Sequence, residues 1–97
     1  MFAKMFSKWA IQVDFSDLIA TKIKEIMQEK NINSSQLSKL TGIYRSTLTM
    51  YLTRKNRTIR LENLLYICEA FNMKLSEFFS DKRFDDAEAN DWKNKID

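Results

Sequence analysis

The first long feature of the chain is a stripe of apolar residues at steps of three and four, the pattern of an amphipathic helix. The stripe consists of Phe15, Leu18, Ile19, Ile23, Ile26 and Met27. It predicts a helix in which Ser16 is the N-cap and Asp17 lies in the first turn. We expect the helix to run to about Lys30 and to end at Asn31, which tolerates a left-handed C-cap.

Shorter periodic segments downstream predict four more helices. The second begins after Asn33 as N-cap, and the third covers residues 45–53. The fourth covers residues 61–71, followed by a left-handed cap at Asn72, and the fifth covers residues 75–79. The spacing predicts partial cover for Tyr51 and burial for Leu37, Leu40, Leu48, Leu52, Leu61, Leu64, Leu65, Cys68, Phe71, Phe78 and Phe79.

The two ends of the chain show weaker patterns. Residues 9–15 alternate apolar and polar side chains, which favours a short strand, although residues 2–9 keep helical spacing. Such an arm could pair across a two-fold axis or fold back over its own core. From residue 81 onward six acids and four bases predict a mobile tail, apart from docking of Phe84 or Trp92. The predicted division is therefore an arm (1–15), a helical domain (16–80) and an acidic tail (81–97).

Composition narrows both the fold and the chemistry. A single Gly and no Pro among 97 residues favour an all-α fold of one small domain, which dimerisation would help to stabilise. Without histidine and with one cysteine, the sequence predicts no metal, no cofactor and no enzyme. Cys68 lies on a buried stripe, so it is expected to pack as a small hydrophobe rather than to sense redox state. No apolar run reaches the ~20 residues of a membrane span, and we expect a soluble, cytoplasmic protein.

Charge is unevenly distributed along the chain. Residues 30–61 contain no Asp or Glu but seven Lys and Arg, whereas all thirteen acids lie elsewhere. A surface of one sign attracts a polyanion such as DNA, because neutralised phosphates release counterions. The segregation of charge, rather than the net charge of +3, therefore points to nucleic acid.

A helix-turn-helix spacing lies inside this acid-free stretch. Leu37 and Leu48 are placed to pack between two helices, and Ser38 is small enough for their close approach. Gly42 permits the bend at low cost, and Ile43 fills the corner. Residues 33–52, followed by residues 60–79, resemble the phage-repressor (Cro/C1, XRE-type) helix-turn-helix family. The resemblance covers about two thirds of the chain, residues 18–79, and implies a compact five-helix repressor-like DNA-binding domain.

The resemblance also implies DNA contacts. The third helix would enter the major groove with its N-terminal residues at base edges. Arg45 can donate two hydrogen bonds to guanine, Ser46 can bond several bases, and Met50 can contact a thymine methyl. The implied base-contacting residues are Arg45, Ser46, Thr49 and Met50. The predicted phosphate-contacting residues are Ser34, Ser35 and Gln36 at a helix start, Tyr44, and the loop residues Arg54, Lys55, Asn56 and Arg57.

The chain departs from the family pattern at several positions. Tyr44 and Lys74 stand where the family commonly has capping residues. Many members carry Glu and then Gly near the positions of Leu52 and Arg54, so a different loop after the third helix is expected.

These observations predict a sequence-specific regulator of transcription that binds double-stranded DNA. As a homodimer it would act as a repressor by occupying an inverted-repeat operator. The alternative is an antitoxin-type protein whose main role is to bind a partner protein, with DNA autoregulation secondary. Such a partner would bind the arm and the Trp-containing tail.

Overall fold

The computed structural model describes residues 14–87, which form five α-helices and a short 3₁₀ helix. The helices are α1 Phe15–Lys30, α2 Ser34–Thr41, α3 Arg45–Leu52, α4 Leu61–Ala70 and α5 Leu75–Phe78, and the 3₁₀ helix is Lys82–Asp85. This described part contains no strand, and the all-α prediction is confirmed. The predicted strand, apart from its last two residues, and the docking of Trp92 fall outside the described residues.

Helix α1 starts earlier than the sequence predicted. Its N-cap is Asp14, whose carboxylate accepts a hydrogen bond from the Asp17 amide at 3.3 Å. The prediction of Ser16 as N-cap is wrong because Asp14 supplies a better acceptor and the Ser16 hydroxyl bonds a distant loop. At the other end Asn31 adopts φ 57°, which confirms the left-handed cap.

Helix α2 and the corner after it are fixed by local hydrogen bonds. Asn33 and Gln36 form a reciprocal capping box, with N···O distances of 2.8 and 2.9 Å. Gly42 has φ 78°, and a Cβ built there would meet nothing within 4 Å. Glycine is therefore favoured at this position for its backbone conformation, not for space. The Ser38 hydroxyl donates to the Ile43 carbonyl at 2.5 Å and locks the corner.

Most of the buried side chains of the core come from α1, α3 and α4, and α2 packs against both α3 and α4. The buried apolar residues of the described chain are Leu18, Ile19, Ala20, Ile23, Ile26, Met27, Leu37, Ile43, Leu48, Tyr51, Leu52, Leu64, Ile67, Cys68, Phe71 and Phe78. Burial raises the pKa of the Cys68 thiol to about 11, so little reactive thiolate forms near neutral pH. This supports a packing role for Cys68.

Three predicted core leucines are exposed instead. Leu40, Leu61 and Leu65 have 60, 66 and 40 % of their surface accessible, so their predicted burial is wrong. On α4 the buried stripe continues from Leu64 through Ile67, which the prediction had missed. Leu65 lies about 100° around the helix from its neighbour and so leaves that stripe.

An aromatic cluster joins α5 and the 3₁₀ helix to α1. Phe84 packs edge-on against Phe79, with ring centroids 4.9 Å apart, and lies 5.8 Å from Phe78 and 5.9 Å from Phe15. The predicted docking of Phe84 is therefore confirmed. Next to the cluster, the Arg83 guanidinium lies 2.7 Å from both the Glu25 and the Asp81 carboxylates.

These ion pairs predict a loss of stability in acid. Hydrogen bonds from Arg83 and then Lys22 hold the pKa of Asp81 well below its ordinary 3.8. The ionised carboxylate therefore stabilises the fold fully above pH 3.8, and this contribution is lost as the pH falls through the lowered pKa. Replacing Asp81 with Asn should lower the free energy of unfolding by about 1 kcal/mol at pH 7, because partly exposed ion pairs contribute little more. Urea unfolding at pH 7 and in acid measures this.

The matched control for that prediction is Asp85→Asn, which removes an exposed carboxylate from the same 3₁₀ helix. We expect this change to leave stability nearly unaltered at both pH values. A gap between wild type and Asp81→Asn that stays constant or widens in acid would contradict the role given to Asp81.

Candidate DNA-binding surface

One face of α3 is exposed along its whole length. It carries Arg45, Ser46, Thr49 and Met50, all of them accessible to solvent. At 100° per residue these four positions span an arc of about 140°. The opposite face of α3 is buried, through Leu48, Tyr51 and Leu52. The structure thus brings the predicted base-contacting residues together on one side of one helix.

The start of α3 is uncapped by a side chain. Tyr44 occupies the N-cap position with φ −58° and ψ 138°, and its side chain makes no capping hydrogen bond. Because no side chain takes up its first amides, the helix start keeps N–H donors for another acceptor. The Tyr44 side chain is 80 % exposed, beside a cleft of about 210 Å³ lined also by Thr47 and Tyr66.

The start of α2 offers backbone N–H donors in its first turn, although its N-cap is occupied by a capping box. The capping box already uses the amide and the side-chain oxygen of Gln36. Ser34 and Ser35 are half-buried in the first turn, where amides have no carbonyl of the helix to bond. The positive end of the helix dipole adds to this, so the α2 start can accept an anion.

The loop after α3 folds back onto that helix. The Asn56 amide donates to the Met50 carbonyl at 2.9 Å, and the Asn56 side-chain oxygen accepts from the Thr58 amide at 3.3 Å. Asn56 therefore shapes the loop, whereas the neighbouring Lys55 is exposed. Loop and α3 together present basic side chains without an intervening acid in the sequence.

A comparison with known families decides what kind of domain this is. The family model described as Cro/C1-type HTH DNA-binding domain matches residues 22–83, more than half of the chain. The chain belongs to this family. Searches of curated proteins and of solved structures gave no match. Family membership makes the protein a DNA-binding transcription regulator of the helix-turn-helix type.

The structure shows how the chain accommodates its departures from the family pattern. Arg54, near a position where many members carry Gly, has φ 64°, a conformation that favours glycine. Lys74 precedes α5, and there the Glu77 carboxylate accepts from the Lys74 amide at 2.9 Å. The role of a capping side chain is thus taken over by a residue inside the helix.

The loop after α3 is tied to the first turn of α1, which sequence reasoning missed. The Arg54 guanidinium lies 2.7 Å from the Asp17 carboxylate, and that of Arg57 lies 3.1 Å from the Asp14 carboxylate. Ser16 lies between them and donates its hydroxyl to the Arg57 carbonyl. These contacts join residues about forty positions apart, so no local spacing in the sequence could have indicated them.

Residues 14–87 contain neither a metal-binding cluster nor a membrane-spanning helix. This part of the chain holds no group of three or more His, Cys, Asp or Glu side chains arranged to bind a metal ion. Its helices are too short or too polar for any of them to cross a bilayer.

Proposed function

We propose that this protein is a repressor that recognises an operator in double-stranded DNA as a homodimer, in the cytoplasm. The observation that carries the proposal is the exposed, acid-free face of α3, at the centre of a segment without Asp or Glu. A compact helix of this kind fits the major groove, and DNA supplies the negative charge that such a segment attracts.

On this proposal α3 reads bases with its exposed side chains. Arg45 stands at the first position of the helix and donates a pair of hydrogen bonds to guanine O6 and N7. Ser46 bonds a neighbouring base, and Met50 contacts a thymine methyl. Thr49 flanks them on the same arc.

Phosphate contacts hold the helix in its groove. Lys55 and Arg57 supply positive charge beyond the C-terminal end of α3, and Tyr44 supplies a hydroxyl at its start. Further contacts come from Ser34, Ser35 and Gln36 at the α2 N-terminus, and from Asn56 in the loop. In the α2 group the backbone amides of the first two residues are the better donors, because the capping box occupies Gln36.

A dimer follows from the small size of the reading helix. Eight residues of α3 reach only a few base pairs, so one subunit alone should bind weakly. Two subunits related by a two-fold axis would read an inverted repeat with half-sites about 34 Å apart. Selection of duplexes from a random library at a fixed salt concentration tests this. We expect an inverted repeat among the bound sequences, and a selected site without two-fold symmetry would count against the dimer.

Lys55 is expected to act as an anchor that does not depend on base sequence. Replacing it with Ala should weaken binding to all duplexes by a similar factor. The log-log dependence of affinity on salt should become shallower by about 0.9 for each phosphate that is no longer neutralised. Lys82→Ala, which removes an exposed lysine of the 3₁₀ helix, is the matched control and should change neither quantity. Loss of affinity for one sequence only would show that Lys55 reads a base instead.

A further inference from the structure

We propose that Arg54 is a positioning residue: it fixes the loop of residues 53–60 against the start of α1 and so places Lys55 and Arg57 for DNA. The inference rests on the proposed function and refines it. The geometry of Arg54 favours this role over the phosphate contact predicted for it from the sequence.

The guanidinium of Arg54 is already surrounded by partners. Its Nε donates to the Asp17 carboxylate at 2.7 Å, and its Nη2 donates to the Ser16 hydroxyl at 2.6 Å. Its Nη1 donates to the Tyr51 carbonyl at 3.2 Å, while Cζ lies 5.0 Å from the centre of the Tyr51 ring. Each nitrogen is bonded and one face of the group is covered. Only 20 % of the side chain is exposed, so a phosphate would compete with Asp17 for a largely covered guanidinium.

The backbone of Arg54 supports the same conclusion. A left-handed conformation is unfavourable for a residue with a Cβ, and Arg54 adopts it with φ 64°. Such a conformation persists where the surrounding contacts over-determine it. The side-chain bonds to α1 supply those contacts, so the left-handed turn at Arg54 and its ion pair with Asp17 stabilise each other.

These contacts extend to Arg57. The Ser16 hydroxyl accepts from Arg54 and donates to the Arg57 carbonyl, and the Tyr51 hydroxyl donates to the Ser16 carbonyl at 3.3 Å. Burial is the main cause that raises the pKa of Tyr51, so its hydroxyl remains protonated and able to donate. The first turn of α1 thus bonds the loop at Arg54 and at Arg57, and the exposed Lys55 lies between these two residues.

The two roles of Arg54 predict opposite effects of removing Asp17. If Arg54 binds a phosphate, Asp17 competes with DNA, and Asp17→Asn should tighten binding. If Arg54 positions the loop, Asp17→Asn should loosen the loop and weaken binding, even though it removes a negative charge. The expected loss of affinity is about fivefold, within the usual range for coupled neighbours.

The experiment measures affinity of the full chain for the duplex that the wild-type protein selects from a random library. Glu29→Gln is the matched control, because it removes one exposed negative charge from the same helix without touching the loop. It should leave affinity unchanged or slightly higher. Urea unfolding of each variant ensures that the binding measured is that of folded protein. Unchanged or tighter binding by Asp17→Asn would overturn the positioning role.

A second variant removes the arginine without straining the turn. Arg54→Gly suits φ 64°, so the fold should survive while the side chain is removed. If Arg54 positions Lys55, Lys55→Ala should reduce affinity less in the Arg54→Gly protein than in the wild type. Additive effects would mean that the two residues act independently and would contradict the inference.

The two proposals fail in different ways. If the wild-type chain binds no duplex, the proposed function fails and the positioning role falls with it. If the wild-type chain binds but Asp17→Asn does not weaken binding, only the positioning role fails.

Discussion

Replacing Phe78 with Ala is expected to lower the free energy of unfolding by about 3–5 kcal/mol, the usual cost of removing a fully buried aromatic ring. Phe78 is completely inaccessible, and its ring lies 5.2 Å from that of Phe79 and 5.8 Å from that of Phe84. Removing it opens a cavity where α5 and the 3₁₀ helix meet α1. Single domains are stable by only about 5–15 kcal/mol, so this variant should be partly unfolded at physiological temperature. Chemical unfolding followed by circular dichroism measures the change.

Leu61→Ala is the control for that experiment. Leu61 is a large apolar residue that the sequence placed in the core and the structure leaves exposed. Its replacement should change stability by about 0.5 kcal/mol or less, as is usual at the surface. Equal losses in the free energy of unfolding for Phe78→Ala and Leu61→Ala would contradict the packing of Phe78 described above.

The second large effect concerns base recognition. Arg45→Ala should reduce affinity for the operator by about 1–3 kcal/mol, or roughly fivefold to 150-fold, and should relax preference at one base pair. The physical reason is the loss of two parallel hydrogen bonds to guanine. Arg45 is exposed at the start of α3, so stability should be unaffected. Affinities for the selected duplex and for single-base variants of it give both quantities.

Arg45→Lys separates geometry from charge. Lysine keeps the positive charge but lacks the planar, two-pronged group, so discrimination at that base pair should fall while salt dependence is retained. Uniform loss of affinity on every duplex, by both Arg45 variants and by Lys55→Ala, would show that the division between reading and anchoring residues is wrong.

The features that the sequence predicted well are those determined by neighbouring residues. The N-cap at Asn33, the turn at Gly42 and the left-handed caps at Asn31 and Asn72 each depend on a few adjacent positions. The buried stripe of α1 was predicted for the same reason, because its period is visible within one helix. The exposed face of α3 could be predicted because it lies opposite the face that the apolar spacing predicted to be buried.

The features that were missed depend on what packs against an element from elsewhere in the chain. Leu40, Leu61 and Leu65 have apolar side chains at suitable spacing, yet no element within residues 14–87 covers enough of them to bury them. The Arg54–Asp17 ion pair joins segments that only the tertiary fold brings together. Periodicity identifies a helical face but does not say how far its neighbours extend over it.

The measurement that most directly tests the central claim is the affinity of the full chain for its selected duplex at several salt concentrations. We expect log affinity to fall linearly with log salt, with a slope near −3.6 if Lys55 and Arg57 of two subunits each neutralise one phosphate at about 0.9 apiece. Arg45→Ala should shift this line to lower affinity on the selected duplex and much less on unrelated ones. Failure to bind any double-stranded fragment, or binding that salt does not weaken, would contradict the account.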